Sequence, residues 1–153
     1  MVTFQKCDKL FSILKALEEF NAGWPINILK AFIFDPFYVL DVWLPNQDSL
    51  IAMAKENPEN LKYLGYSMEY VFDLGSSSNL ENCGRLYEVL KKLDALDSSH
   101  AGRVLQALAS NPPSVIRYIP TFERRIRELE DPESDKTAIR NTIKGDIAIL
   151  SAS

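Results

Sequence analysis

Apolar residues recur every three or four positions along most of this chain, and prolines interrupt the pattern at short intervals. The first segment is the clearest case, with Phe4, Leu10, Leu14 and Leu17 on one helical face and Thr3 placed to cap its start. The eight prolines keep each helix short, because proline fits the first turn of a helix better than its interior. This combination predicts an all-α fold of about seven to nine short helices.

The segment from Trp24 to Leu44 allows two interpretations. Pro25 and Pro36 each begin a short apolar run, and Pro45 follows the second run. Proline at the first helical position favours helices of two or three turns. The alternative is a pair of strands, because residues 33–44 are rich in aromatic and β-branched side chains. Helix is the preferred interpretation.

An internal similarity relates residues 50–74 to residues 105–129, and it aligns Pro58 with Pro113 without a gap. The common unit is a short helix, a proline turn and further helix. Units of this kind bury their apolar faces by stacking on their neighbours. The order of helices and turns resembles that of HEAT and armadillo repeats, which implies an irregular helical stack. Two unrelated helix pairs that start with proline would also look alike.

Helix breakers shape the predicted domain organisation. In each unit the second helix is expected to end at a helix breaker, which is Gly65 in the first unit and Pro120 in the second. A third helix is expected after each break. Residues 1–131 are predicted to form one helical domain, as an irregular stack or as a small bundle. Residues 132–153 are predicted to form a C-terminal capping helix with a frayed tail. The small, polar stretch 75–79 is the best loop candidate.

Composition and charge exclude several classes of protein. The formal net charge is −4 and no segment is strongly basic, which disfavours nucleic acid as a partner. The most apolar stretch contains Lys30, Asp35 and Asp41, which disfavours a membrane span. Cys7 and Cys83 are too few for a disulfide framework. We therefore expect a soluble protein of a reducing, cytoplasmic compartment, or of a host cytosol if it is secreted without a leader.

No motif in the sequence specifies catalysis, a metal site or a cofactor, and none of these is predicted. An enzyme of unrecognised type would use Cys83, His100 and Arg103, with the thiol pKa of Cys83 lowered at a helix start. The segment 98–103 combines two serines with an arginine and would suit an anion at a helix start. An ordinary helix cap is the simpler interpretation of that segment.

A cluster of arginines between residues 117 and 127 is the first candidate binding surface. Arg124, Arg125 and Arg127 are expected to point away from the apolar stripe of the segment, and arginine suits carboxylates, phosphates and aromatic faces. The alternative is a salt-bridged solvent face, since Glu123 lies one turn before Arg127. The predicted partner-binding residues of this cluster are Arg117, Arg124, Arg125 and Arg127.

A group of aromatic residues is the second candidate surface. Such rings can line a peptide groove, because tryptophan and tyrosine often anchor interfaces, although core packing explains most of them. Trp43, beside a proline and a polar turn, is the ring that we expect to be exposed, and it is added to the predicted partner-binding residues. The group consists of Trp24, Phe32, Phe34, Phe37, Tyr38 and Trp43.

The sequence as a whole favours a protein-interaction or adaptor module that is not an enzyme. The helical unit pattern, the absence of catalytic motifs and the outward arginines point the same way. Such a module could be regulatory, or an effector of bacterial origin. The alternatives are the small enzyme described above, and a binder of acidic or phosphorylated ligands through the arginines. A protein partner is predicted, and the oligomeric state stays open.

Overall fold

The computed structural model describes residues 1–75 and 79–152, and its elements are helices joined by short turns. A π-helical segment (Tyr38–Trp43) and two short 3-10 turns join some of the α-helices, and no strand occurs in the described ranges. The all-α prediction is confirmed. The α-helices are α1 (Phe4–Glu18), α2 (Trp24–Phe34), α3 (Gln47–Glu56), α4 (Leu61–Phe72), α5 (Leu80–Leu96), α6 (His100–Ser110), α7 (Pro112–Glu130) and α8 (Lys136–Ala152).

Local sequence accounts for the first two helices. The Thr3 hydroxyl accepts a hydrogen bond from the backbone N–H of Lys6 at 3.2 Å, which is the predicted cap of α1. Pro25 lies in the first turn of α2, where a missing N–H costs nothing. Helix is therefore confirmed for residues 24–44, and the strand alternative is wrong.

Helix α6 lies at the centre of the core. Its residues Val104, Leu105 and Leu108 are fully buried, and the helix contacts α1, α2, α5, α7 and α8. In a solenoid each unit contacts only its neighbours in sequence, whereas here the first helix packs on the sixth. Of the two predicted architectures, the chain therefore adopts the helical bundle.

A glycine allows α1 and α6 to pack closely. A Cβ atom added at Gly102 would lie 2.8 Å from the ring of Phe4 and 3.2 Å from the Cα atom of Asp8. Both distances are shorter than ordinary packing contacts, so no larger residue fits without movement of α1. The central crossing of the bundle depends on this glycine.

The two predicted helix breaks do not occur. Helix α4 continues through Gly65, and α7 continues through Pro120, so the separate third helices are absent. A glycine inside a helix costs only about 1 kcal/mol, and the buried positions Leu64 and Met68 continue the apolar stripe across it. Pro120 is exposed, between the buried Ile119 and Phe122 that hold α7 to the core. The repeat itself stays a prediction.

Helix α8 packs on α6 and α7 through Ile143 and Ile147. The side chain of Asp135 accepts a hydrogen bond from the N–H of Ala138 at 3.2 Å and caps its start. The helix reaches Ala152, so the predicted frayed tail is helical up to that residue. Ser153 and residues 76–78 of the predicted loop lie outside the described residues.

Candidate functional site

The arginine cluster is divided by its contacts. The Nε atom of Arg125 lies 3.1 Å from the Oδ2 atom of Asp146, which is buried, and the Tyr118 hydroxyl donates to the other carboxylate oxygen at 2.5 Å. The hydrogen bond to Asp146 raises the pKa of Arg125 above its ordinary value. Arg125 therefore ties α7 to α8, and it is not free to bind a partner without breaking that contact.

The other three arginines of the cluster are exposed. Arg124 lies 3.9 Å from Glu128 on the same helix, whereas Arg117 and Arg127 form no ion pair with any residue in the described ranges. Glu123 does not form the predicted pair with Arg127. It binds Arg85 of α5 instead, with nitrogen–oxygen distances of 3.2 and 2.5 Å. A solvent face with three available guanidinium groups remains.

Trp43 is buried, with 4% of its surface exposed, and the expectation that it is the exposed ring is wrong. It ends the π-helical segment, whose Val39 and Leu40 are also buried, so that segment directs the indole into the core. Its Nε1 atom has no hydrogen-bond partner in the part of the chain that the structure describes. Trp43 can reach a partner only through the groove that it borders.

The exposed rings lie on α2, around the π-helical segment and on α4, and they include Phe34 and Phe37 of the predicted aromatic group. Phe34, Phe37, Tyr66 and Tyr70 each expose between 56% and 63% of their surface, and Tyr63 exposes 41%. The first four of these rings present most of their area to solvent, unlike the aromatic residues of the core. We call this set, together with the half-buried Tyr38, the aromatic face (Phe34, Phe37, Tyr38, Tyr63, Tyr66 and Tyr70).

Ring contacts and backbone position connect the tyrosines of the aromatic face. The rings of Tyr38 and Tyr70 meet edge to face with centroids 5.1 Å apart, and those of Tyr63 and Tyr66 are 6.3 Å apart. Tyr66 and Tyr70 are one helical turn apart and share a face of α4. Phe34 packs beside Gly75, whose positive φ of 79° forms the turn after α4.

Three carboxylates border these rings. Asp35 lies directly after Phe34, and Glu69 and Asp73 lie beside the tyrosines on α4. Near the start of α4, Lys62 places its ammonium group 5.3 Å from the ring of Tyr63. Lys30 is buried and donates to the carbonyl oxygen of Phe72 at 2.7 Å, so its charge is held away from the surface. The surface is aromatic with an acidic border.

An open groove of about 480 Å³ adjoins the aromatic face. Tyr38 and Val42 form one wall, and Leu50 of α3 contributes to another. Gln47 is buried at its base and donates from Nε2 to the carbonyl oxygen of Trp43 at 3.1 Å. A bulky apolar side chain of a partner could enter this groove beside Tyr38.

A second concave site lies between the first turn of α6 and the last turns of α8. This cleft of about 510 Å³ combines charged side chains with an apolar wall. We call it the His100 cleft, and its lining includes Asp97, Ser99, His100, Arg103, Lys144, Ile147 and Ala148.

His100 lines this cleft and is buried, with only 5% of its surface exposed. Burial lowers the pKa of His100 below its ordinary value, and the positive charges of Lys144 and Arg103 lower it further, while Asp97 opposes them. The imidazole ring forms no hydrogen bond within the described part of the chain. It is therefore a neutral, unpartnered polar group at neutral pH.

The predicted serine cap of α6 is not formed. The Ser99 side chain makes no capping bond to the helix. Its backbone N–H and its hydroxyl both donate to the Oδ1 atom of Asp97, at 2.9 and 2.8 Å. These bonds lower the pKa of Asp97 and keep it ionised. Arg103 stacks over the ring of Phe4 at 5.2 Å, which orients its guanidinium group.

The structure does not bring together the three residues of the enzyme alternative. Cys83 lies in the first turn of α5, and His100 follows the other end of that helix, which at 17 residues is about 25 Å long. Burial raises the pKa of the Cys83 thiol to about 11, opposite to the lowering that a reactive thiol needs. Only His100 and Arg103 share a site, so this arrangement gives no nucleophile beside a base.

No protein-family profile matches the chain, and no match is found among the curated proteins or the solved structures. Among the described residues, no helix combines the length and apolarity needed to cross a bilayer. The same residues contain no group of three histidine, cysteine or carboxylate side chains placed to hold a metal ion. The function has to be inferred from the geometry of the chain itself.

Phe34, Phe37 and Tyr38 belong to the predicted aromatic group, whereas the three tyrosines of α4 were in neither predicted surface. The signal for them was present on α4, where Leu64, Met68 and Val71 form the buried stripe. Tyr66 and Tyr70 have the same spacing on the opposite side of the helix. A second aromatic stripe on a helix whose core face is already complete indicates a surface feature.

Proposed function

We propose that this chain is a protein-interaction module, without enzymatic activity, that binds its partner through the aromatic face. The observation that carries the proposal is the grouping of more than half-exposed rings, above all Phe34, Phe37, Tyr66 and Tyr70. Exposed apolar patches with a polar border are typical of interaction sites. Tyrosine and other aromatic residues are enriched where interfaces derive most of their binding energy.

The acidic border of the aromatic face supports a basic partner. Asp35, Glu69 and Asp73 favour a positively charged segment, and tyrosine rings bind lysine and arginine through cation–π contacts. The rings and the groove beside Tyr38 provide sites for apolar anchors. The occupant that fits is an amphipathic, basic segment of another protein.

The arginine cluster supports the alternative surface, for an acidic or phosphorylated ligand. Arg117, Arg124 and Arg127 are exposed and available, but Arg125 is bound to Asp146. The three exposed guanidinium groups are separated along α7, and they border no exposed aromatic patch. The aromatic face is therefore the preferred surface, and the arginines provide a comparison variant.

Two free, buried thiols support the assignment of this chain to a reducing, cytoplasmic compartment, which the proposal implies. Cys7 and Cys83 are unpaired and inaccessible, as is usual for a protein of a reducing, cytoplasmic environment. An adaptor in such a compartment, whether regulatory or delivered as an effector, needs only one exposed binding surface.

Selection from a displayed peptide library tests the proposal, because it identifies both the surface and the chemistry of the ligand. The wild-type chain is the target, and the enriched peptides are then measured against purified variants. Tyr66→Ser with Tyr70→Ser removes two rings of the aromatic face. Ile149→Ser is the matched control, because Ile149 is a similarly exposed apolar residue on α8.

The proposal predicts peptides that combine aromatic or aliphatic residues with lysine and arginine. Loss of two anchor rings should weaken their binding by at least about 30-fold, since a central interface residue contributes on the order of 2 kcal/mol. The Ile149→Ser variant should bind like wild type. Enrichment of acidic peptides whose binding is lost on charge reversal of Arg117, Arg124 and Arg127 would refute the proposal and support the arginine surface.

A further inference from the structure

The His100 cleft is independent of the aromatic face and has the features of a built site. It is formed by α6 and α8, whereas the aromatic face belongs to α2, the π-helical segment and α4. The cleft contains a polar side chain that is nine-tenths buried and has no hydrogen-bond partner within the described ranges, namely His100. Because the side chain of His100 lines the cleft and forms no other hydrogen bond in these ranges, its ring nitrogens are available to a ligand that enters there.

Positive charge converges on the cleft from two helices. Arg103 extends from α6 and is oriented by the ring of Phe4, and Lys144 extends from α8. Arg140 adds a third cation in the adjoining cleft, which His100 also lines. The first turn of α6 contributes the positive end of its helix dipole, and the last turn of α8, which lines the cleft with Ser151 and Ala152, contributes a negative end.

The carboxylate of the cleft offsets only part of this positive charge. Asp97 is bonded to the backbone N–H and hydroxyl of Ser99, within its own turn. Counting Arg103, Lys144 and Arg140 against Asp97, the two clefts that share His100 have a surplus of two positive charges with a neutral imidazole. A dianion matches that surplus.

Part of the lining of the cleft is apolar. Ile147 and Ala148 of α8 form this wall, and Ile147 is buried. A bare inorganic anion would leave this wall in contact with water, whereas a ligand with a small apolar group would cover it.

We propose that the His100 cleft binds a small organic phosphate monoester, with Arg103 and Lys144 on the phosphate oxygens, His100 as a hydrogen-bond partner, and the apolar group of the ligand against Ile147 and Ala148. Arginine forks and lysine ammonium groups are the usual protein partners of phosphate.

The single histidine of the chain provides the readout. The Hε1 resonance of His100 is a unique reporter in a proton NMR spectrum, and it can be followed while phenyl phosphate is added at constant pH and ionic strength. Inorganic phosphate and benzoate serve as the comparison probes. The variants are Arg103→Gln and Lys144→Gln, and the control is Arg117→Gln, an exposed arginine on α7. All of these positions are exposed, and circular dichroism checks that each variant is folded.

The proposal predicts a saturable shift of the Hε1 resonance with phenyl phosphate. Each charge-removing variant in the cleft should weaken binding by about tenfold, as expected for loss of one charge-assisted hydrogen bond, and Arg117→Gln should not weaken it. Inorganic phosphate and benzoate should bind more weakly than phenyl phosphate. A shift that does not saturate, equal binding by Arg103→Gln and Arg117→Gln, or benzoate binding as tightly as phenyl phosphate would each overturn it.

Discussion

Replacement of Gly102 by alanine tests the central packing of the bundle. The added Cβ atom would lie 2.8 Å from a ring carbon of Phe4 and 3.2 Å from the Cα and Cβ atoms of Asp8, so α1 must move. Overpacking of a core costs about 1–3 kcal/mol, while alanine gains about 1 kcal/mol over glycine in helix propensity. The expected net result is a loss of about 0–2 kcal/mol in the free energy of unfolding, in contrast to the gain expected from propensity alone.

Two other helical glycines provide matched controls. A Cβ atom at Gly65 or at Gly145 would have no heavy atom within 4 Å, so only the helix propensity changes there. Alanine at either position should raise the free energy of unfolding by about 0.5–1 kcal/mol. Urea unfolding followed by circular dichroism measures all three variants. If Gly102→Ala is as stable as the controls, the close approach of α1 and α6 is refuted.

Three further predictions concern individual side chains. Asp146→Ala should lower the free energy of unfolding in urea by about 2–3 kcal/mol, because Arg125 and Tyr118 both lose a charged partner, and Tyr118→Phe should cost about 1 kcal/mol. The Cys83 thiol, with a pKa raised to about 11, should react with a disulfide reagent at pH 8 only as fast as the chain unfolds; a fast reaction in native protein would contradict its burial. Since burial lowers the pKa of His100, the unfolded chain binds more protons near pH 6.5, so the melting temperature should fall between pH 7.5 and 5.5 and fall less in His100→Gln.

The sequence predicts the helices well where the apolar period is uninterrupted. The cap at Thr3 and the proline starts of α2 and α7 depend on local rules that hold in any helix. The rules failed at Gly65 and Pro120, because burial on both sides of each residue outweighs a local preference of a few kcal/mol at most. Local sequence does not contain that tertiary contribution.

The site residues were harder to predict, because exposure is decided by packing between distant elements. Trp43 is next to a proline and was expected outside, but the π-helical segment places it in the core. Arg125 has the same sequence pattern as its neighbours, and only the approach of α8 gives it Asp146 as a partner. Tyr66 and Tyr70 become significant only when Leu64 is seen to fill the core face of α4.

The architecture also depends on contacts that sequence similarity cannot show. Residues 50–74 and 105–129 each contain a helix, a proline turn and a helix, yet α6 is central in the core whereas α3 lies at its edge. Helices α1 and α6 are far apart in the sequence, and their packing against each other produces a bundle. The same local units would equally have suited a stack of neighbours.

The most direct measurement for the central claim is NMR mapping of a selected peptide on the labelled wild-type chain. Binding through the aromatic face predicts amide shifts concentrated in residues 34–38 and 61–72, with small shifts in α7. Concentration of the shifts in residues 117–127, with residues 61–72 unaffected, would contradict the claim and assign partner binding to the arginines.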